Sequence, residues 1–101
     1  MAAIAIPQFS AYKDRAYNSD SQAALHNLFL ACKAYWADNG SNSTCTEAQV
    51  TTTAYGITAN ANIPITGAGG TETSFTATAI NSAGGNAAGY SIDETGTITA
   101  N

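Results

Sequence analysis

A helical pattern runs with few breaks from Phe9 to Asp38 and takes up nearly a third of the chain. Its strongest part is an apolar stripe with the spacing of a helix that buries one face, formed by Leu25, Leu28, Phe29, Cys32, Tyr35 and Trp36. Weaker members continue the stripe upstream at Phe9, Tyr12, Ala16 and Ala23. Asn39 or Gly40 can take the left-handed conformation that ends a helix, so we expect the helix to stop there.

The predicted helix is longer than a domain of this size can cover. At 1.5 Å per residue, a helix from Ala3 to Asp38 is about 54 Å long, whereas the whole chain has 101 residues. Its N-terminal half must therefore project from the domain or be covered by neighbouring subunits. A filament subunit requires this geometry.

The helix begins with an apolar run, Ala2 to Ile6, that leads into Pro7. Five apolar residues are far fewer than the roughly 20 that cross a bilayer. The run indicates the end of a longer hydrophobic helix that was cut and given a new Met1, and such processing is excluded from fold reasoning. The alternative is a natural protein whose short apolar start packs on itself.

The residues at this junction resemble the type IVa pilin family, at the point where the membrane half of its long N-terminal helix meets the soluble half. Ile6-Pro7-Gln8-Phe9 is followed by Tyr12 and by Lys13-Asp14-Arg15-Ala16-Tyr17. The C-terminal half is also similar to the family, in the Phe-Thr-Ala-Thr-Ala of 75–79 and the Tyr-x-Ile-Asp-x-x-Gly of 90–96. The family's leader, methylated Phe and Glu-bearing hydrophobic segment are not among these 101 residues.

The resemblance implies the type IV pilin fold, an α+β structure with a long N-terminal α-helix packed on a three- or four-stranded antiparallel sheet. One domain, 1–101, would comprise a helix over 1–39, a loop over 40–50 and mainly antiparallel sheet over 51–101. The implied function is structural: a subunit of an extracellular pilus that serves adhesion, twitching motility or DNA uptake. We expect no enzyme activity and no cofactor.

The resemblance also implies the partners. They are other copies of the chain, which form a homopolymer, and the inner-membrane assembly machinery and prepilin peptidase that handle the full-length form. The precursor would be anchored in the bacterial inner membrane by a segment absent here.

The helix carries the residues predicted to pack between subunits. Leu30 lies across the helical wheel from the buried stripe, beside His26, Lys33 and Ala37. The full predicted set is Ile4, Ile6, Pro7, Phe9, Tyr12, Tyr17 and Leu30. Its aromatic members supply large contact area at an interface; the alternative is electron conduction along the filament, as proposed for aromatic-rich pilins of metal-reducing bacteria.

Composition predicts a thin core and argues against direct nucleic-acid binding. Large apolar residues are few, with eight Ile, three Leu, one Val and nine aromatics. The three basic residues, Lys13, Arg15 and Lys33, all lie in the helical third, and the chain beyond Lys33 is acidic. The isolated domain therefore lacks the basic footprint that neutralises phosphates.

The two cysteines, Cys32 and Cys45, are thirteen positions apart. An even count in a chain that looks extracellular favours a disulfide; two buried free thiols are the alternative. A metal site is disfavoured, because the chain has one histidine and no Cys-x-x-Cys.

The second half of the sequence predicts strands. Thr51–Ile57 and Ile63–Thr66 are weak candidates, and Ser74–Ile80 is stronger. Tyr90–Asp93 and Thr97–Thr99 flank a tight hairpin at Glu94-Thr95-Gly96.

Other interpretations of function remain open at this stage. No catalytic spacing accompanies His26, and neither glycine cluster has the lysine of a phosphate loop. Asp93 and Glu94 could bind calcium at the hairpin tip, although two carboxylates in a turn are more often only solvated. The alternative functions are an electron-conducting pilus subunit, a type II secretion pseudopilin and a secreted binding module.

Overall fold

The computed structural model describes the backbone of residues 2–52, 54–58 and 60–101, and the side chains of these ranges from residue 11 onward. Its elements are α1 (Ala2–Asn39), α2 (Glu47–Val50), β1 (Ile65–Gly69), β2 (Thr76–Ala79), β3 (Tyr90–Ile92) and β4 (Ile98–Ala100). The strands form one antiparallel sheet in the order β1-β2-β3-β4, and α1 packs against it. The predicted α+β arrangement of a long N-terminal helix on a small antiparallel sheet is confirmed, with four strands.

The helix α1 ends where the sequence predicts. The Gly40 N–H donates to the Trp36 carbonyl oxygen at 2.8 Å, and Gly40 has a φ of +101° that favours glycine. A helix of 38 residues is about 57 Å long, which matches the 58 Å length of a molecule only 24 Å and 16 Å across. In the part of the chain that the structure describes, no helix is both long and apolar enough to cross a membrane.

The sheet is a meander, since each strand pairs with the next one along the chain. The Cα partners in its centre are Ala77 with Ile92 and Thr78 with Ser91. β3 and β4 are joined by a tight turn in which the N–H of Gly96 donates to the carbonyl oxygen of Asp93 at 3.0 Å. The predicted hairpin is therefore confirmed.

The core lies between the C-terminal half of α1 and the sheet. Every residue of the predicted stripe from Leu25 onward is buried or half-buried: Leu25, Leu28, Phe29, Cys32, Tyr35 and Trp36. The fully buried Phe75 lies among them, with its ring centroid 5.5 Å from that of Trp36 and 6.3 Å from that of Phe29. The indole Nε1 donates to the Ser43 carbonyl oxygen at 2.8 Å, so the buried Trp36 keeps a hydrogen-bond partner.

Upstream of Leu25, the inner face of α1 differs from the predicted one. Three predicted stripe members are exposed, namely Tyr12, Ala16 and Ala23. Phe9 lies outside the residues whose side chains are described. Three residues that keep the helical period from Leu25 face inward instead: Tyr17, Asn18 and Ser21. Two of these are small and polar, so apolar periodicity does not reveal them.

These inward residues hold the loop between β2 and β3. The Oδ1 of Asn18 accepts a hydrogen bond from the Asn86 N–H at 2.8 Å, and the Nδ2 of Asn81 donates to the Tyr17 carbonyl oxygen at 3.4 Å. Gly84 lies so close to Tyr17 that a Cβ atom there would be 2.6 Å from the ring. Hydrogen bonds and close backbone packing therefore extend the contact between α1 and the rest of the domain as far towards the N-terminus as Tyr17.

The connection between α1 and the sheet also differs from the prediction. The loop 40–50 contains α2, whose Val50 is fully buried. The proposed strand Thr51–Ile57 is wrong: Tyr55 and Gly56 both donate their N–H to the Thr52 carbonyl oxygen, at 3.2 and 2.8 Å. These bonds form a turn, so the two N–H groups do not pair with a neighbouring strand. Thr53 lies outside the described residues.

The remaining strand predictions agree with the structure to within a few residues. β1 begins at Ile65 rather than Ile63, since Pro64 has no N–H to give to a ladder. It also runs on to Gly69, beyond the predicted end at Thr66. The other three predicted strands overlap β2, β3 and β4.

Candidate interaction surfaces

The two cysteines form a disulfide that joins α1 to the loop after it. Cys32 and Cys45 are bonded, with Cα atoms 5.8 Å apart, and both side chains are fully buried. The predicted disulfide is confirmed. Next to it, the Cys45 N–H donates to the Gly70 carbonyl oxygen at 2.9 Å. The loop is therefore bound covalently to the helix and by a hydrogen bond to the connection between β1 and β2.

Lys33 reaches from α1 to the same connection. Its Nζ lies 3.2 Å from the Oε2 of Glu72, and 5.2 Å and 5.8 Å from the ring centroids of Phe29 and Trp36. The two charged side chains are 41% and 36% exposed, so the ion pair contributes at most about 1 kcal/mol to stability. The ion pair matters more for the charge that the subunit offers to other molecules, because the only basic residue beyond Arg15 is already paired within the subunit.

Residues 11–16 of α1 form a segment that we call the arm. Every side chain from residue 12 to residue 16 is exposed, whereas from Tyr17 onward the helix packs against the loop between β2 and β3. Tyr12 is 67% exposed, and the Arg15 guanidinium carbon lies 5.3 Å from the centroid of its ring. The arm therefore presents an aromatic ring and a cation together.

The structure separates the residues predicted to pack in a filament. Tyr12 and Leu30 are exposed, while Tyr17 is half-buried against its own domain. The side chains of the other four lie outside the described residues: Ile4, Ile6, Pro7 and Phe9. A role in packing between subunits stays a prediction for all seven.

Leu30 lies in an open groove of about 570 Å³ between α1 and the segment that leads into β1. We call this the Leu30 groove. Its apolar walls include Leu30, Ala31, Ala34, Ile57 and Ile63, and its polar members include Glu47 and Tyr55. Leu30 is 51% exposed, so its predicted outward position is confirmed. The two alanines leave room beside it, and the lining is more apolar than polar, with Glu47 as its one carboxylate.

Tyr55 is held at the edge of the Leu30 groove by the end of α1. Its hydroxyl donates to the Oδ2 of Asp38 at 2.9 Å and accepts from the Nδ2 of Asn39 at 3.3 Å. Its ring meets that of Tyr35 edge to face, with centroids 5.6 Å apart. The hydrogen bond to the Asp38 carboxylate raises the pKa of Tyr55. The wall of the groove is therefore attached to the helix by side chains.

We expect this contact to make stability sensitive to alkaline pH. The folded state holds the Tyr55 proton more tightly than the unfolded state, so the contribution is present below a pKa of about 10 and is lost as pH rises through the higher folded value. Melting temperatures of the parent and of Tyr55→Phe should differ below about pH 9 and converge as pH rises through the raised folded pKa of Tyr55. Parallel curves over this range would contradict the assignment.

The hairpin tip and His26 show no arrangement that suggests catalysis. The Oδ1 of Asp93 accepts from the Thr95 hydroxyl at 2.6 Å and from the Thr95 and Thr97 N–H groups at 2.9 and 3.1 Å. These bonds, first the one from the Thr95 hydroxyl, lower the pKa of Asp93. Asp93 thus closes its own turn, and His26 is exposed on α1. Within the described ranges, no three His, Cys, Asp or Glu side chains are grouped as metal ligands would be.

No protein-family profile, curated protein or solved structure matches this chain. The likeness to type IVa pilins therefore depends on the quoted residues of the sequence and not on a related protein.

Sequence reasoning found Leu30 but not the groove around it. The opposite wall comes from residues 55–58 and 60–65, which follow α1 at a distance in the sequence and belong only in part to the weak strand candidates Thr51–Ile57 and Ile63–Thr66. The one available signal was the small residue Ala34, one helical turn after Leu30 on the same side of the helix.

Proposed function

We propose that this chain is a structural subunit of a type IVa pilus, which polymerises through its N-terminal helix into an extracellular filament. The single observation that supports this best is the arm, because a helix with exposed side chains on every face from residue 12 to residue 16 has no use in a solitary domain. The Ile-Pro-Gln-Phe junction at 6–9 lies directly before it.

The arrangement of the domain is consistent with this function. The C-terminal half of α1 is bound to the sheet by a buried core and to the loop after it by a disulfide. The N-terminal half of α1 is left for contacts with other copies. In the proposed filament, the N-terminal halves of the α1 helices of many copies pack together. The sheets face outward, where they meet surfaces or other cells. Adhesion, twitching motility and DNA uptake are all compatible with that arrangement.

The natural gene offers a direct test. The proposal requires an upstream leader that ends in Gly, followed by Phe and by a hydrophobic stretch with one Glu. A natural gene without such a segment would refute the assignment to this family.

Leu30→Glu should reduce filament number sharply while leaving the domain folded. The side chain is half-exposed, so the charge costs the isolated subunit little. Against a neighbouring subunit the same carboxylate would lose its water, at a cost of several kcal/mol. Filaments should be counted by electron microscopy on cells that express the natural full-length gene, and thermal melts should be recorded on the 101-residue chain.

Thr99→Glu is the matched control, since Thr99 is exposed on β4 and outside the Leu30 groove. Its filament count should equal that of the parent. Normal filaments with Leu30→Glu would show that this face of α1 is not an assembly surface.

A secreted binding module is the second candidate, and the Leu30 groove is the observation in its favour. Its volume is within the range of small-molecule sites. If the chain is a binding module, immunogold labelling of cells that carry the natural gene should find no filament that contains the chain.

A further inference from the structure

Two exposed surfaces of this subunit are complementary in apolar character. Among the described residues, the large hydrophobic side chains that remain exposed are Tyr12, at 67%, and Leu30, at 51%. One belongs to the arm and the other to the Leu30 groove, so each surface has one large apolar contact group. An aromatic ring suits a groove of this kind, because its apolar body can be buried while its hydroxyl stays in water.

The same two surfaces are complementary in charge. Lys13 and Arg15 outnumber Asp14 on the arm, whereas residues 38–101 contain acidic residues and no basic ones. Glu47 contributes to the Leu30 groove, and no described cation lies within ion-pair distance of it. Arg15 likewise has no described carboxylate within that distance. Each therefore has its charge available for another copy of the chain.

We propose that the Leu30 groove of one copy receives the arm of a second copy, with Tyr12 against Leu30 and Arg15 beside Glu47. This inference deepens the proposed function and rests on it for the setting in which copies meet. It identifies the occupant of the groove as a defined segment of the same protein.

The contact joins different surfaces of two identical copies, so it does not close into a symmetric dimer. Such a head-to-tail contact repeats without limit unless its rotation closes a ring. The arm and Leu30 are separated by about 25 Å along α1. If the α1 helices of two contacting copies are parallel, one copy is shifted by about 25 Å along the helix axis relative to the other.

The contact is weak by itself. One helical turn in a groove buries far less than the roughly 1,200 Å² at the low end of stable interfaces. The 101-residue chain should therefore stay monomeric at micromolar concentration and associate in the millimolar range. In a filament, other contacts hold the copies together and raise the effective concentration of arm and groove.

Photo-crosslinking tests the contact directly. Benzoylphenylalanine replaces Tyr12 in the 101-residue chain, the protein is irradiated at about 1 mM, a concentration at which weak contacts are populated, and the linked peptides are mapped by mass spectrometry. We expect links from position 12 to the groove residues Leu30, Ala34 and Ile57. We also expect a ladder of dimers, trimers and larger species. Links from position 12 to position 12, links to another surface, or no links at all would overturn the proposal.

Charge reversal tests the Arg15 contact in the same assay. Arg15→Glu and Glu47→Lys should each reduce the yield of groove links about fivefold, as expected when an ion pair worth about 1 kcal/mol is lost. The double variant should restore the yield. Glu94→Lys is the matched control, because Glu94 lies at the hairpin tip and outside the groove, and it should leave the yield unchanged. No rescue by the double variant would overturn the pairing of Arg15 with Glu47.

A failure of this contact can be distinguished from a failure of the proposed function. Groove links in the absence of any filament on cells would refute the pilus assignment and leave the contact standing. Filaments on cells without groove links in the 101-residue chain would do the reverse.

Discussion

Replacing Leu28 by glutamate should unfold the domain or lower its melting temperature by more than about 20 °C. Leu28 is fully buried in the cluster between α1 and the sheet. The substitution removes a buried leucine, which costs about 3–5 kcal/mol, and adds an unpaired carboxylate, which costs several more. Single domains are stable by only about 5–15 kcal/mol. Circular dichroism melts of the purified chain would measure the effect.

Two further variants make the result specific. Leu30→Glu places the same charge two residues away, on the exposed side of α1, and should melt within a few degrees of the parent. Leu28→Ala, which adds no charge, should cost about 2–5 kcal/mol and give a measurable transition even if Leu28→Glu does not fold. Equal melting temperatures for the two glutamate variants would mean that the assignment of inner and outer helix faces is wrong.

Loss of the Cys32–Cys45 disulfide should have the second largest effect. Closing a ring of this size stabilises a domain by about 3 kcal/mol, because it limits the unfolded chain. The double variant Cys32→Ala/Cys45→Ala should therefore melt about 12–24 °C below the parent. Thermal melts of the two proteins under non-reducing conditions provide the comparison.

Mass spectrometry provides the control for this prediction. The oxidised parent should weigh two hydrogens less than its reduced form and should resist alkylation without a reductant. Free alkylation of both thiols in the native, air-exposed protein would contradict the bond. An unchanged melting temperature in the double alanine variant would show instead that the loop is held by its other contacts, such as the Cys45–Gly70 backbone hydrogen bond.

The spacing of apolar residues and the presence of turn-forming residues were enough to predict the buried face of the helix and the hairpin. The stripe from Leu25 to Trp36 is dense in large apolar residues, so its inner face is evident from spacing alone. The hairpin around Gly96 could be predicted because the turn is local. In both cases the residues that determine the structure are close together in the sequence.

Features that give no apolar signal, that go against β propensity, or that depend on distant residues were predicted incorrectly or missed. Ser21 is almost fully buried, although a serine gives no apolar signal. Thr51–Ile57 contains several β-branched residues, yet the Thr52 carbonyl oxygen collects two N–H groups in a turn. The Leu30 groove needs a second wall from residues 55–58 and 60–65, and no pattern within α1 shows that this wall is there.

The Cys32–Cys45 bond has a mechanical consequence in the proposed filament. A pulling force along the fibre would enter each subunit through α1, and a helix attached only by side-chain packing could slide along the sheet. The disulfide lies near the C-terminal end of α1, and the Cys45 N–H bonds to the Gly70 carbonyl oxygen at the end of β1. Tension would therefore pass through a covalent link into the loop after α1, and from that loop by a backbone hydrogen bond to the residue that follows β1. A subunit built in this way resists extraction of its helix even where its apolar core is thin.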